Sequence, residues 1–211
     1  MRRVAVLIDG SNFIGSLYRA DLGYPALKPL IAYLARTDAL SYARFYGAPP
    51  PREPWRLRWR TFVAANRHVH GLDFFQGYRH ASSGQEKAID VALVTDLLYG
   101  KIANHFDRVA VIGADGDYVY ALKVARTVVS VRVHLMGSAS TGFAKARVPF
   151  TILERAELIE RGICDPRAGS PVPAAHRAPA ESAPEAVILR GSSASRAHQR
   201  PLTIDELPDN D

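Results

Sequence analysis

Residues 4–12 read VAVLIDGSN: an apolar run from Val4 to Ile8, then Asp9, Gly10, Ser11 and Asn12. A short stretch that is apolar at every position, closed by an acid and a glycine, predicts a strand buried on both faces and ending in a sharp turn. The run is too short to cross a bilayer or to form the apolar core of a signal peptide. A second such stretch lies at 109–117, where Val109–Ile112 is followed by Gly113-Ala114-Asp115-Gly116-Asp117. Open α/β sheets carry their sites beyond the carboxyl ends of the strands, so two separate strands are expected to deliver carboxylates to one edge.

Working outward, apolar runs alternate with amphipathic ones. Helices are expected from about Asn12, at Ala26–Arg36, Pro54–Arg67, Ala88–Ala103 and Tyr118–Arg126, and further strands at Ser41–Tyr46, Val69–Gln76 and Val129–Leu135. Strands alternating with helices imply an α/β fold with a parallel sheet covered on both faces. The composition breaks near residue 164: half of the 14 prolines lie in the last 48 residues, and apolar periodicity is lost. A segment so poor in buriable surface cannot offset its chain entropy. One domain over 1–163 and a disordered Pro/Ala/Ser/Arg-rich tail over 164–211 are therefore expected, the closing TIDELPDND being an acidic, solvated end.

Charge follows the same division. The chain carries +6, but the tail holds five Arg against seven Asp or Glu, which leaves +8 on the first 163 residues. A basic folded part suits a polyanionic partner, most simply nucleic acid. Cys164 is the only cysteine, so an internal disulfide and a cysteine-built zinc site are both excluded. The chain reads as a cytoplasmic protein with no membrane association.

A third acid, Asp90, opens the apolar helix after the polar loop Ser82–Lys87. Converging like charges repel, and a hard divalent cation with oxygen ligands is the simplest compensation. Magnesium or manganese held by Asp9, Asp90, Asp115 and Asp117 would activate a water and stabilise charge on a phosphoryl group. Asn12 would hold a carboxylate or water in place. An Asp after a strand is often only a helix N-cap, and Asp9, Asp90 and Asp117 each qualify. Capping alone accounts less well than a shared cation for acids after two strands plus one opening a buried helix. Asp115-Gly-Asp117 lacks the further oxygens and the closing Glu of a calcium loop. Asp96 follows Asp90 by six residues, off its helical face, and reads as a supporting acid at the sheet edge or a solvent-facing residue.

A route for the nucleic acid is suggested by PREPWRLRWRTFVAANRH, residues 51–68. Arg52, Arg56 and Arg60 recur every four residues, with Trp55, Trp59 and Phe62 as a neighbouring stripe. Either the aromatics pack on the sheet beneath a solvated arginine face, or the arginines bind phosphates while a Trp at the rim stacks a base. Arg79, His80 and Lys87 would extend that track toward the acids, with Ser82-Ser83-Gly84 as a mobile gating loop.

VAVLIDGSN, EKAIDVALVTDLL and VAVIGADGDYVYALKVAR, in this order, resemble the three signature blocks of the NYN domain in the PIN-like nuclease superfamily, nearest to the bacterial LabA/DUF88 type. The resemblance covers roughly residues 3 to 160. It implies a Rossmann-like three-layer α/β/α sandwich and a metal-dependent endoribonuclease using Mg2+ or Mn2+ on single-stranded RNA. Carried over, the first block supplies Asp9 and Asn12, with Ser11 beside them against RNA. The second supplies Lys87, Asp90 and Asp96, and the third Asp115 and Asp117. Ala88 stands where the family commonly has glycine, Ala114 fills a slot that is usually small, and the family's late acidic block is not recognisable in KARVPFTILERAEL. Two other readings share the fold: a non-cleaving RNA-binding or regulatory module, and a phosphatase of small molecules. A homodimer is compatible with all three readings.

Overall fold

Strand β1 (Arg3–Asp9) is the centre from which the rest is laid out. It pairs in parallel with β2 (Ala39–Gly47) on one side and with β6 (Arg108–Ile112) on the other, bringing Asp9 level with Tyr46 and Ile8 level with Ile112. Beyond them lie β3 (Leu72–Gln76), β7 (Ser130–Leu135) and β8 (Phe150–Ile152). The sheet order is β3-β2-β1-β6-β7-β8, and each pairing is parallel. The computed structural model describes residues 1–80, 84–113, 115–137, 142–143 and 148–167. The expected disordered tail beyond 167 and the serines of the expected gating loop lie outside the described residues.

Successive side chains of β1 feed two cores. Val6 and Ile8 pack with α1 (Gly10–Arg19), α2 (Leu27–Ala35) and α3 (Trp55–Asn66), through Phe13, Leu17, Leu30, Trp59 and Phe62. Ala5 and Leu7 pack on the opposite face with α4 (Ile89–Ile102) and α5 (Val119–Ala125), through Leu93, Leu97 and Leu122. The result is the three-layer α/β/α arrangement expected from the alternation of strands and helices. The strand order reverses between β1 and β6. That is the switch point at which helices leave toward opposite faces and a crevice opens.

Several boundaries differ from expectation. The third strand starts at Leu72, because Val69 still donates to the carbonyl of Asn66 in a turn and Gly71 has φ +76°. The helix after β6 begins as a 3-10 turn, Gly116–Tyr118, before α5 takes over. A two-stranded hairpin, β4 (Tyr78–Arg79) with β5 (Glu86–Lys87), precedes α4, and α6 (Arg155–Glu160) follows β8. Strands of two or three residues leave no periodicity to read. Cys164 is buried, Gly23 N donates to Asp165 O, and Arg167 N donates to Asp21 O, so the folded part runs past the composition break at 164. Among the described residues no helix is long and apolar enough to cross a membrane.

Ala88, the residue before α4, has φ +71°. A Cβ in this left-handed region is crowded by its own backbone, which explains why glycine suits the position. Ala88→Gly is expected to raise unfolding free energy by about 1 kcal/mol, read as a higher urea midpoint with unchanged slope.

Candidate functional site

Asp9 ends β1 and caps α1: its Oδ1 accepts from Asn12 N at 3.0 Å, while Oδ2 accepts from the Tyr118 hydroxyl at 3.3 Å. The residue is only 4% exposed. Strand alternation places it on the α4 face, with Ala5 and Leu7. Gly10 makes the turn workable, because a Cβ there would meet the Phe45 ring and stand 2.6 Å from the carbonyl oxygen of Tyr46. Gly113, at the end of β6, has φ +151°, and a Cβ on it would strike the Tyr118 hydroxyl and approach Asp9 Cβ at 2.9 Å. Gly113 therefore serves close approach of the chain to Asp9, and Gly10 the packing of the start of α1 on β2.

The other acids gather around it. Asp115 caps the 3-10 turn, its Oδ1 accepting from Asp117 N at 3.0 Å, and its own N–H donates to the Tyr118 hydroxyl at 3.2 Å. Tyr118 thus links the ends of β1 and β6. Asp90 sits in the first turn of α4. Burial, reinforced by the charges of Asp90 and Asp115, pushes the Asp9 carboxyl up to about 7. Asp90 is also raised, by burial first and then by Asp115, Asp117 and Glu86. Asp9, Asp90, Asp115 and Asp117 therefore form one electrostatic neighbourhood. Capping and clustering coexist: Asp9 and Asp115 each cap with one oxygen, whereas Asp90 lies inside α4, whose N-cap is Ala88, and Asp117 inside the 3-10 turn.

Glu86 escaped the sequence reading. Its carboxylate accepts from Ser11 Oγ and is paired with Arg79, tying the β4–β5 hairpin to the start of α1. Arg79 also donates to Pro49 O and Gly84 O, both at 2.9 Å. Ser11 and Arg79, expected against RNA, thus hold this hairpin in place. Lys87 is exposed just before α4. The useful signal for Glu86 was its adjacency to Lys87 in the second block, but nothing local revealed its partners.

The remaining expected residues lie elsewhere. Asp96 accepts from Arg44 Nη1 at 2.7 Å and from the Tyr46 hydroxyl at 2.6 Å, with Arg44 also paired to Asp73 at 2.9 Å. Its carboxylate braces α4 on β2 about 9 Å along the helix axis from Asp90. Arg52 precedes α3 in an exposed turn. Arg56 donates to the carbonyls of Pro50 and Pro51, and Arg60 pairs with Glu53 at 3.3 Å. These arginines belong to the layer opposite α4, and two of them are engaged with groups just before their own helix.

Among the described residues no three His, Cys, Asp or Glu side chains close around a point that could hold a metal ion. The donor chemistry nevertheless fits a hard cation: all the groups are carboxylates, the innermost is buried, and mutual repulsion raises its proton affinity.

An α/β sheet with carboxylates gathered at its switch point defines the class, and comparison supplies the family. The chain belongs to the NYN domain family, whose model matches residues 3–153, and this is a PIN-like nuclease family whose nucleases typically use metal ions. A crystal structure of a protein of unknown function from Vibrio parahaemolyticus superposes with TM-score 0.58 at 19% identity, covering 73% of this chain and 94% of that one. That likeness concerns the fold alone. No curated protein matches the chain significantly.

The folded state keeps Asp9 protonated up to about pH 7, whereas the unfolded chain ionises it near 3.8. Stability contributed by the neutral form is complete below the lower value and lost as pH rises through the higher. Asp9→Asn, which cannot ionise, is expected to be more stable than the parent at pH 8 by on the order of 2 kcal/mol. The gap should close toward pH 4, followed by urea unfolding in EDTA. Asp96→Ala is expected to cost about 1–2 kcal/mol in the same assay while leaving divalent-cation affinity, read by calorimetry, unchanged.

Proposed function

We propose that this NYN protein is a ribonuclease that hydrolyses RNA phosphodiester bonds at the Asp9, Asp90, Asp115 and Asp117 cluster with Mg2+ or Mn2+. The observation that carries the reading is the buried Asp9 carboxyl, raised to about 7 beside Asp90 and Asp115. Such an arrangement is costly to fold and is relieved by a cation with oxygen ligands. Family membership supports nuclease chemistry, and the +8 of the first 163 residues supports a polyanionic substrate.

Asp9, Asp90 and Asp115 would hold the ion, with Asp117 at the exposed margin. Once bound, such an ion lowers the pKa of a water and offsets charge on the phosphoryl oxygens. The protein's own part is positioning. Asn12 N and the Tyr118 hydroxyl fix the two oxygens of Asp9, Asp117 N fixes one oxygen of Asp115, and the first turn of α4 carries Asp90. The exposed ammonium of Lys87 is placed to meet a phosphate beside Asp90.

Purified protein with labelled single-stranded RNA and Mn2+ is expected to yield products, and Asp115→Asn and Asp9→Asn to lower the rate at least about 100-fold. Calorimetry should register Mn2+ uptake by the parent and a weakened signal in both variants. Full cleavage by both variants would overturn the assignment of these acids. RNA binding without product in either metal would make the chain a non-cleaving module.

A further inference from the structure

Helix α4 is apolar on two opposite sides. Ile89, Leu93, Leu97 and Gly100 are buried against the sheet. On the other side Val91, Thr95, Leu98 and Ile102 form an outward stripe, with Val91 72% and Ile102 82% exposed. Thr95 gives its hydroxyl to Val91 O at 2.7 Å, so its polar group is already satisfied. A surface helix ordinarily carries charge on that side. The neighbouring α5 continues the pattern: Tyr120, 76% exposed, Val124 and, in the turn after the helix, Val128 recur every four residues. The two helices pack together on one face of the sheet, and Tyr99 adds a further exposed ring. None of these residues is charged; Lys123, exposed on α5, stands beside them.

The exposed parts of Val91, Tyr99, Ile102, Tyr120, Val124 and Val128 present roughly 700 Å², more than the largest apolar patch of an ordinary monomer and close to one partner's share of a stable interface. Aromatic and aliphatic side chains with charge held to the margin are the composition of an interface centre. Uncharged stripes give little hold on a phosphate backbone, which sets RNA aside as the occupant. They also let two copies of a chain carrying +8 on its first 163 residues meet without burying like charges.

The α4 stripe fits its own image. Its intervals are four, three and four residues, the same from either end. Antiparallel packing of α4 on the α4 of a second copy sets Val91 against Ile102 and Thr95 against Leu98, twice over, as an isologous contact requires. We infer that the outer face of α4 and α5 is a homodimer interface, with a two-fold axis at the middle of the α4 seam. The inference does not depend on the chain's cutting RNA. Asp90 lies one residue before the seam, so the pairing puts one carboxylate cluster at each end, the two Asp90 residues about 20 Å apart along the helix axis.

Sedimentation equilibrium of the full chain at micromolar concentrations is expected to show a reversible dimer. Val91→Lys and Ile102→Glu each set a charge against an apolar side chain of the other copy and should weaken the dimer at least about tenfold. Mixed in equal amounts, the two variants bring opposite charges together across the seam, and at least about fivefold of the lost affinity should return. Both positions are exposed in the single chain, so thermal unfolding of the dilute variants should match the parent. Tyr120→Glu tests the face from α5 should either α4 variant unfold. Variants that dimerise like the parent overturn the interface, and a mixture that stays monomeric overturns the antiparallel seam. A parent that is monomeric up to its highest soluble concentration also overturns the pairing. Destabilisation of that monomer by Ile102→Glu would then assign the face to residues 168–211 of the same chain.

Discussion

The carboxylate of Asp9 is held out of water at the end of the central strand, and much of the surrounding architecture exists to keep it there. Burial of an ionised carboxylate is opposed by desolvation, and acids nearby increase that opposition. The fold answers with a cap from Asn12 N, a hydrogen bond from Tyr118, and two glycines that admit the neighbouring chain segments without a clash. A protein built for stability alone would place an apolar residue here, continuing the run from Val4 to Ile8. Keeping an acid instead stores an electrostatic tension that a bound cation or proton relieves.

Tyr118 connects the turns that follow two strands. Its hydroxyl donates to Asp9 after β1 and accepts from Asp115 N after β6, so the two acid-bearing turns are fixed to each other. Burial and the Asp9 charge both push its own ionisation upward, which keeps the hydroxyl a donor at all ordinary pH. On the other flank, the Ser11–Glu86–Arg79 chain fastens the β4–β5 hairpin to the start of α1. The acids thus sit between two polar braces, and a divalent ion would meet ligands already oriented by them.

The arginines illustrate a different lesson. A four-residue spacing correctly places side chains on one face of α3, but it cannot say whether that face looks toward a ligand, a carbonyl or bulk water. Arg56 turns back on the proline carbonyls before its helix, and Arg60 on Glu53. Asp96 behaves likewise: its place in the second block suggests a site acid, whereas Arg44 and Tyr46 engage its carboxylate well down α4.

From residue types and their order alone came the alternation of strands and helices, the parallel sheet, and the acids at the ends of β1 and β6. These are local facts, since an apolar run followed by Asp and Gly reads the same wherever it lies. The hairpin, the short β8, the part played by Glu86, the bracing of Asp96 and the joint apolar face of α4 and α5 were settled only by tertiary structure. Each depends on groups tens of residues apart meeting in space, and those meetings follow from strand order and packing, which no single stretch of chain encodes.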